Sequence, residues 1–253
     1  MSYLTIALIV FGCVLFSALF SLFLRVILPE HHLSKDTRDV VMLTMGLIAT
    51  MVALVLGLLI ASAKGSFDLE NTGIQQAAAN IIKLDRALAR YGPETKEIRE
   101  KLQRLLALRI HQEWPEDGSA PKKVDTPEGT RASEDIVGAI HNLSPKTETQ
   151  RELQSRAQQI ALDLMGAHWL ILVQAVNTVP PLFLVLLIFW LCILFAGFGL
   201  FAPRNATVIV AFVLCALAIS SAIFLILEMN NPLGGMIKVS NLPLRYALSQ
   251  LGQ

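Results

Sequence analysis

The chain has 253 residues, 54% of them apolar and only 16% charged, with a mean hydropathy of +0.56. A soluble domain carries roughly 25% charge, and here 31 of the 41 charges fall between residues 64 and 168, as 15 Lys/Arg and 16 Asp/Glu. Two apolar flanks around a charged, nearly neutral centre exclude a secreted disulfide scaffold, an intrinsically disordered chain and a basic nucleic-acid binder, and lead to the expectation of an all-α integral membrane protein.

Residues 3–24 hold no charge, and Met1-Ser2 ahead of them hold no Lys or Arg. A secretory leader has a basic start and a shorter apolar core, so this run is read as a retained membrane helix. A crossing helix needs roughly 20 apolar residues, and four stretches supply them: 3–24, 40–63, 182–201 and 206–227. Arg25 ends the first and is expected to snorkel outward, while Lys64 closes the second and Glu228 the fourth. The break Ala202-Pro203-Arg204-Asn205 makes the last two a tight hairpin. Four crossings put both termini and the 64–168 insert on one face, with the loops near 29–39 and 202–205 on the other. Lys64, Lys83, Arg151, Arg156, Lys238 and Arg245 against Arg25, Lys35, Arg38 and Arg204 favour a cytoplasmic insert. The expected layout is 1–63 for the first two crossings, 64–168 for the insert, 169–227 for a bent segment and the last two crossings, and 228–253 for a tail.

The second crossing has a readable start and two distinct faces. Asp36 is its expected N-cap, with Asp39 near the positive end of the helix dipole. At 100° per residue, Gly46, Ala49, Ala53 and Gly57 share one side, a spacing of small residues that lets another helix approach closely. Thr44, Ile48, Met51, Val55 and Ser62 share the opposite side. Turned towards the axis of an oligomer, that side makes a mostly apolar pore wall with hydroxyls near its ends.

The insert reads as a set of amphipathic helices. Ile74, Ala77, Ala78, Ile81 and Leu88 keep helical spacing from about 71 to 90. Pro93 then opens a second helix carrying Ile98, Leu102, Leu105 and Leu106 up to Trp114. Prolines and glycines between 115 and 132 mark a mobile loop. A short helix is expected from Ser133 to about Asn142, and another from Ser144-Pro145 with Leu153, Ala157, Ile160 and Leu164 on one stripe. Gln174, Asn177 and Pro180-Pro181 interrupt the apolar run that follows. A proline pair breaks the helical ladder, so a bend is expected there, either walling an aqueous path or filled by a neighbouring helix. Glu228, Asn230 and Asn231 leave the last crossing just before Pro232-Leu233-Gly234-Gly235. They are candidates for contact with ions at a pore mouth, or simply a helix end followed by a turn.

No catalytic constellation holds. Cys13, Cys192 and Cys215 lie singly in apolar runs, and no CxxC, GxSxG, HExxH or phosphate-cradling glycine loop occurs. The His31-His32 pair with Glu30 and Asp36 lacks metal-ligand spacing, since adjacent residues point apart. No carboxylate sits inside a crossing, so a buried proton relay has no carrier. The expectation is therefore no enzyme, no cofactor and no bound metal.

The segments HHLSKDTRDVV (31–41), GLLIASAK (57–64), LFAPRNAT (200–207) and the tail EMNNP (228–232) resemble a family of bacterial membrane proteins labelled bestrophin-like. That family reads Asp and Phe where Asn230 and Leu233 stand here, so no charge-dependent role at position 230 is implied. The resemblance implies a homo-oligomeric, anion-conducting channel of the inner membrane, pentameric by analogy, with its second crossing around the pore and cytoplasmic termini. The implied partners are the lipid bilayer, further copies of the chain and inorganic ions, with no nucleic acid. Calcium gating is not implied, because only Glu228 with two asparagines stands where bestrophins carry a dense acidic cluster. Two other readings stay open: a proton-channel subunit of flagellar-stator type, and a non-conducting membrane scaffold or sensor.

Overall fold

The computed structural model describes residues 2–27, 29, 34–115, 127–175, 181–231 and 234–252. All regular structure among them is helical: α1 (Tyr3–Leu24), α2 (Lys35–Tyr91), α3 (Lys96–Glu113), α4 (Pro127–His141), α5 (Glu148–Ala175), α6 (Pro181–Phe201), α7 (Ala206–Met229) and α8 (Leu242–Gln250), with a 3₁₀ turn at Pro93–Thr95. Four of these, α1, α2, α6 and α7, are long and apolar enough to cross a membrane. The expected crossings at 3–24 and 182–201 match helix bounds to within a residue. The second expected crossing is the start of a single 57-residue helix. Lys64 changes the composition there but does not end the helix, because the chain offers no proline until Pro93. The helix expected to start at Ser133 starts at Pro127, and the tail adds α8, which its apolar pattern had not indicated.

The chain divides into two compact units, the first made of residues 1–66 and 179–230. Its core is a narrow seam in which Val10, Val14 and Ala18 of α1 meet Leu187, Leu191, Leu194 and Phe195 of α6 and Phe212, Ala216 and Ile223 of α7. The α1 contribution recurs every three to four residues, and α1 packs against both α6 and α7. Large apolar side chains such as Phe16, Phe20, Leu182, Phe189, Leu214 and Leu217 point away from that seam, the arrangement expected of helices whose solvent is hydrocarbon. Two glycines set the spacing. A Cβ on Gly199 would lie 2.2 Å from Ser21 Oγ and 2.3 Å from the Ala18 carbonyl oxygen, and one on Gly197 would lie 2.6 Å from Met45 Sδ. Ser17 Oγ donates to the Cys192 carbonyl at 2.6 Å in the same α1–α6 interface.

The second unit comprises residues 67–178 and 231–253. Its core gathers Ile74, Ala78, Leu84 and Leu88 of α2, Ile98, Leu102, Leu106 and Ile110 of α3, Ile136 and Ile140 of α4, and Ala157, Ile160 and Ala161 of α5. The α2–α3 corner turns on Gly92, whose φ of 141° suits a residue without Cβ. Thr95 Oγ1 donates to the Leu88 carbonyl at 2.6 Å, and Gln150 Nε2 donates to the Tyr91 carbonyl at 3.0 Å. Gln154 Nε2 donates at 3.0 Å to the Ile140 and Leu143 carbonyls at the end of α4. The tail is tied in by Trp114 Nε1 donating to the Val239 carbonyl at 2.9 Å and by Leu244 and Ala247 of α8, which join the core.

One ion pair lies deep in this unit. Asp85 is 1% exposed and accepts from Arg99 Nε at 2.7 Å and from Arg99 Nη2 at 2.9 Å. The bond to Asp85 holds the Arg99 guanidinium still more firmly protonated than usual, against the opposing effect of burial.

Two stability predictions follow from this packing. Gly199→Leu is expected to cost about 1–3 kcal/mol by overpacking, read as a lower melting temperature in detergent. Gly12→Ala, where an added Cβ meets nothing within 4 Å, is expected to change little. The buried pair predicts an asymmetry. Arg99→Ala strands a carboxylate at 1% exposure and is expected to cost about 3–5 kcal/mol. Asp85→Ala leaves a guanidinium that can lean into solvent from its 21% exposed site, so it is expected to cost less. Equal losses from the two variants would contradict this account.

Candidate pore helix and its surroundings

The membrane half of α2 begins with a cap two residues earlier than the sequence suggests. Ser34 Oγ accepts from the Thr37 N–H at 3.3 Å and shares a 2.8 Å hydroxyl contact with Thr37. Ser34, outside the helix, therefore takes the capping role expected of Asp36, which lies within the first turn. There its charge still complements the helix dipole.

From Lys35 to Ala63 the helix has one packed side and one bare side. Val52 and Ala63 are buried, and Ile48, Ala49, Val55, Leu56 and Leu59 pack partly against the core of the first unit. Among the five residues of the candidate pore wall, Thr44, Met51 and Ser62 are exposed, while Ile48 and Val55 lean onto that core. Among the four small residues, Gly46, Ala53 and Gly57 are exposed, and an added Cβ on either glycine would meet nothing within 4 Å. Ala49 is half-buried against the core. Between these two flanks the sequence reading had passed over a ridge of exposed leucines, Leu43, Leu47, Leu54 and Leu58. Their i, i+4, i+11, i+15 spacing was the signal available for it.

The bare arc is uncharged from residue 40 to 63. Two of its hydroxyls are turned back on the helix, since Thr44 Oγ1 donates to the Val40 carbonyl at 3.0 Å and Thr50 Oγ1 to the Leu47 carbonyl at 2.7 Å. Each of these oxygens retains lone pairs, so the arc offers acceptors at Thr44, near its start, and at Thr50, near its middle, on an otherwise mostly apolar surface.

Glu228 is 3% exposed within the last turn of α7, and Asn230 caps the helix with its N–H bonded to the Ile226 carbonyl at 3.2 Å. Asn231 belongs to the second unit, where its carbonyl accepts from the Gly235 N–H at 3.1 Å. Gln174 lies in the last turn of α5, and Asn177 lies outside the described residues, as do Glu30, His31 and His32. No group of three or more His, Cys, Asp or Glu side chains suited to a metal ion occurs among the described residues.

The loop-side arginines do something other than expected. Arg25 Nη1 donates to the Ala202 carbonyl just past α6 instead of snorkelling outward. Arg204 Nη2 donates to the carbonyls of Leu22 at 2.8 Å and Phe23 at 3.2 Å, in the last turn of α1. Asn205 Oδ1 accepts from the Val208 N–H at 2.9 Å and caps α7. Helix ends leave carbonyls unbonded, and here a guanidinium with several fixed donors serves two of them at once. Arg204→Met is expected to lower stability by about 1 kcal/mol, the net value of such bonds where water can substitute. An unchanged melting temperature would show that the clamp carries no weight.

Comparison with known proteins follows the same lines. A family model described as the Bestrophin-like domain matches residues 11–244. No curated protein sequence matches significantly. Among solved structures, two point variants of a bacterial bestrophin homologue from Klebsiella pneumoniae superpose with TM-scores of 0.65 and 0.64 at 16% identity. The first match covers 94% of this chain and 98% of that one, the second 95% and 99%. A further structure of the homologue, phased on zinc, gives 0.60 at 17% identity, covering 94% and 98%. At such identities the likeness establishes a shared fold. The family match extends over most of the chain, and the protein belongs to the Bestrophin-like family.

Proposed function

We propose that the chain is one subunit of a homo-oligomeric, anion-conducting channel of the bacterial inner membrane, pentameric by analogy with bestrophins, whose pore is lined by the membrane half of α2. The observation that carries this reading is how little of α2 its own protomer covers. Only 6% of its most apolar window is buried, against 33% for α1, 33% for α6 and 22% for α7. Such a helix takes partners from outside the protomer, and a ring of copies supplies them on both flanks. In this arrangement Thr44, Met51 and Ser62 face the axis, with Ile48 and Val55 where the wall returns to the protomer core. Gly46, Ala53 and Gly57 receive the neighbouring copy, and Ala49 backs them.

Glu228, Asn230 and Asn231 stand at the pore mouth, and the insert and both termini are cytoplasmic. Membership of the Bestrophin-like family supports the channel reading over the stator-type and scaffold readings. With 15 basic and 16 acidic residues in the 64–168 region, selectivity is left to the pore rather than to a bulk field from the insert.

Purified oligomer in planar bilayers is expected to pass chloride, with a reversal potential following the chloride gradient. Met51→Glu is expected to cut that conductance about tenfold or more, because a fixed negative charge at an apolar constriction repels anions. A water-borne thiol reagent is expected to reach Met51→Cys but not Leu187→Cys, whose position is 1% exposed. A silent but intact oligomer would favour the scaffold reading, and a proton-selective current the stator-type one.

A further inference from the structure

The second unit contains a cavity of about 160 Å³ walled by α2, α3, α4, α5 and α8. Its lining is mainly aliphatic, with Ile74, Leu102, Leu106, Ile136, Leu164 and Leu244 representing the five helices' apolar contribution. The charged residues of the lining are Glu70, Arg109 and Glu113. Glu113 is only 7% exposed and accepts from Arg109 Nε at 2.9 Å. The same guanidinium reaches His168, donating from Nη2 to the imidazole Nδ1. Arg109 is thereby committed to two partners, one acidic and one neutral. Among the described residues, Glu70 has no such partner. Burial and the like charge of Glu113 both push its carboxyl up from its ordinary range, and no cation acts in the other direction. Burial pushes Glu113 up as well, an effect that Arg109 only partly offsets. The lining thus carries two carboxylates for one cation, and Trp169, 45% exposed, also contributes to the wall.

We propose that this cavity binds a small organic cation, an ammonium group on a compact apolar body. The charge argues for the head: a monocation beside Glu70 brings the two carboxylates and Arg109 to balance, and the Trp169 ring can face it. The aliphatic wall argues for the body, since ligand sites are mostly apolar with a few placed polar groups. The volume sets its size, because a cavity of roughly 150 Å³ accommodates a benzene ring. A carboxylate ligand is disfavoured by Glu70 and Glu113. This site is independent of conduction, and its test reads binding alone.

The test is calorimetric titration of the full-length oligomer in detergent with three ligands of one shape: benzylammonium, benzyl alcohol and benzoate. Benzylammonium is expected to bind about tenfold or more tightly than benzyl alcohol, the scale of one hydrogen bond to a charged group, and benzoate most weakly. Glu70→Gln is expected to remove that advantage while leaving benzyl alcohol unchanged, and Ala77→Phe, which fills the cavity, to weaken both. Equal binding of the ammonium and the alcohol, no heat from benzylammonium at millimolar concentration, or an unaltered preference in Glu70→Gln would each overturn the proposal. Should Glu70→Gln not yield a folded oligomer, the comparison of the three ligands on the unaltered protein decides.

Discussion

Within hydrocarbon a backbone N–H or C=O that lacks a partner has no water to turn to, and the first unit is organised around that condition. Helices satisfy it along their length and leave it open at their ends. The ends are where this chain spends its polar side chains: Ser34 at the start of α2, Asn205 at the start of α7, Arg204 over the end of α1 and Arg25 over the end of α6. With the backbone closed, the helices are held mainly by contact, and contact is limited by how near they can come. Gly199 against Ser21 and Ala18, and Gly197 against Met45, remove the side chains that would otherwise separate them.

The second unit is held differently, by burial of apolar side chains in one shared core. Its polar groups mostly serve corners and ends rather than the interior. The exceptions are Asp85 with Arg99, which is a closed pair, and Glu70 with Glu113, Arg109 and His168, which is not balanced in charge. A protein that only needed stability would do better with apolar residues at those positions. The unbalanced group is also the one that borders a cavity.

Much of this was legible in the sequence because membrane crossings carry a strong one-dimensional signal. Runs of about twenty uncharged residues located α1, α6 and α7 almost to the residue. The same signal is silent about helix length at Lys64, where the apolar run ends and α2 continues to Tyr91. Hydrocarbon thickness limits the crossing, but only a breaker limits the helix, and none comes before Gly92-Pro93. α8 was missed because nine residues hold little periodicity, and its order depends on Leu244 and Ala247 finding the core from far along the chain. The faces of α2 were readable from spacing. Which of them the protomer covers was not, because that depends on where Gly197 lets Met45 settle. The candidate cavity has no local signature at all: Glu70, Arg109, Glu113 and His168 sit on three helices and meet only in the folded unit.

The closed pair of Asp85 and Arg99 has a consequence for how this chain can change over generations. Losing Arg99 first strands a carboxylate where water cannot reach it, whereas losing Asp85 first costs less and losing both together to apolar residues of similar bulk costs little. The two positions, fourteen residues apart on different helices, are therefore tied in inheritance. Among descendants of this sequence they should be found as acid with base or as neither, with the mixed combinations scarce.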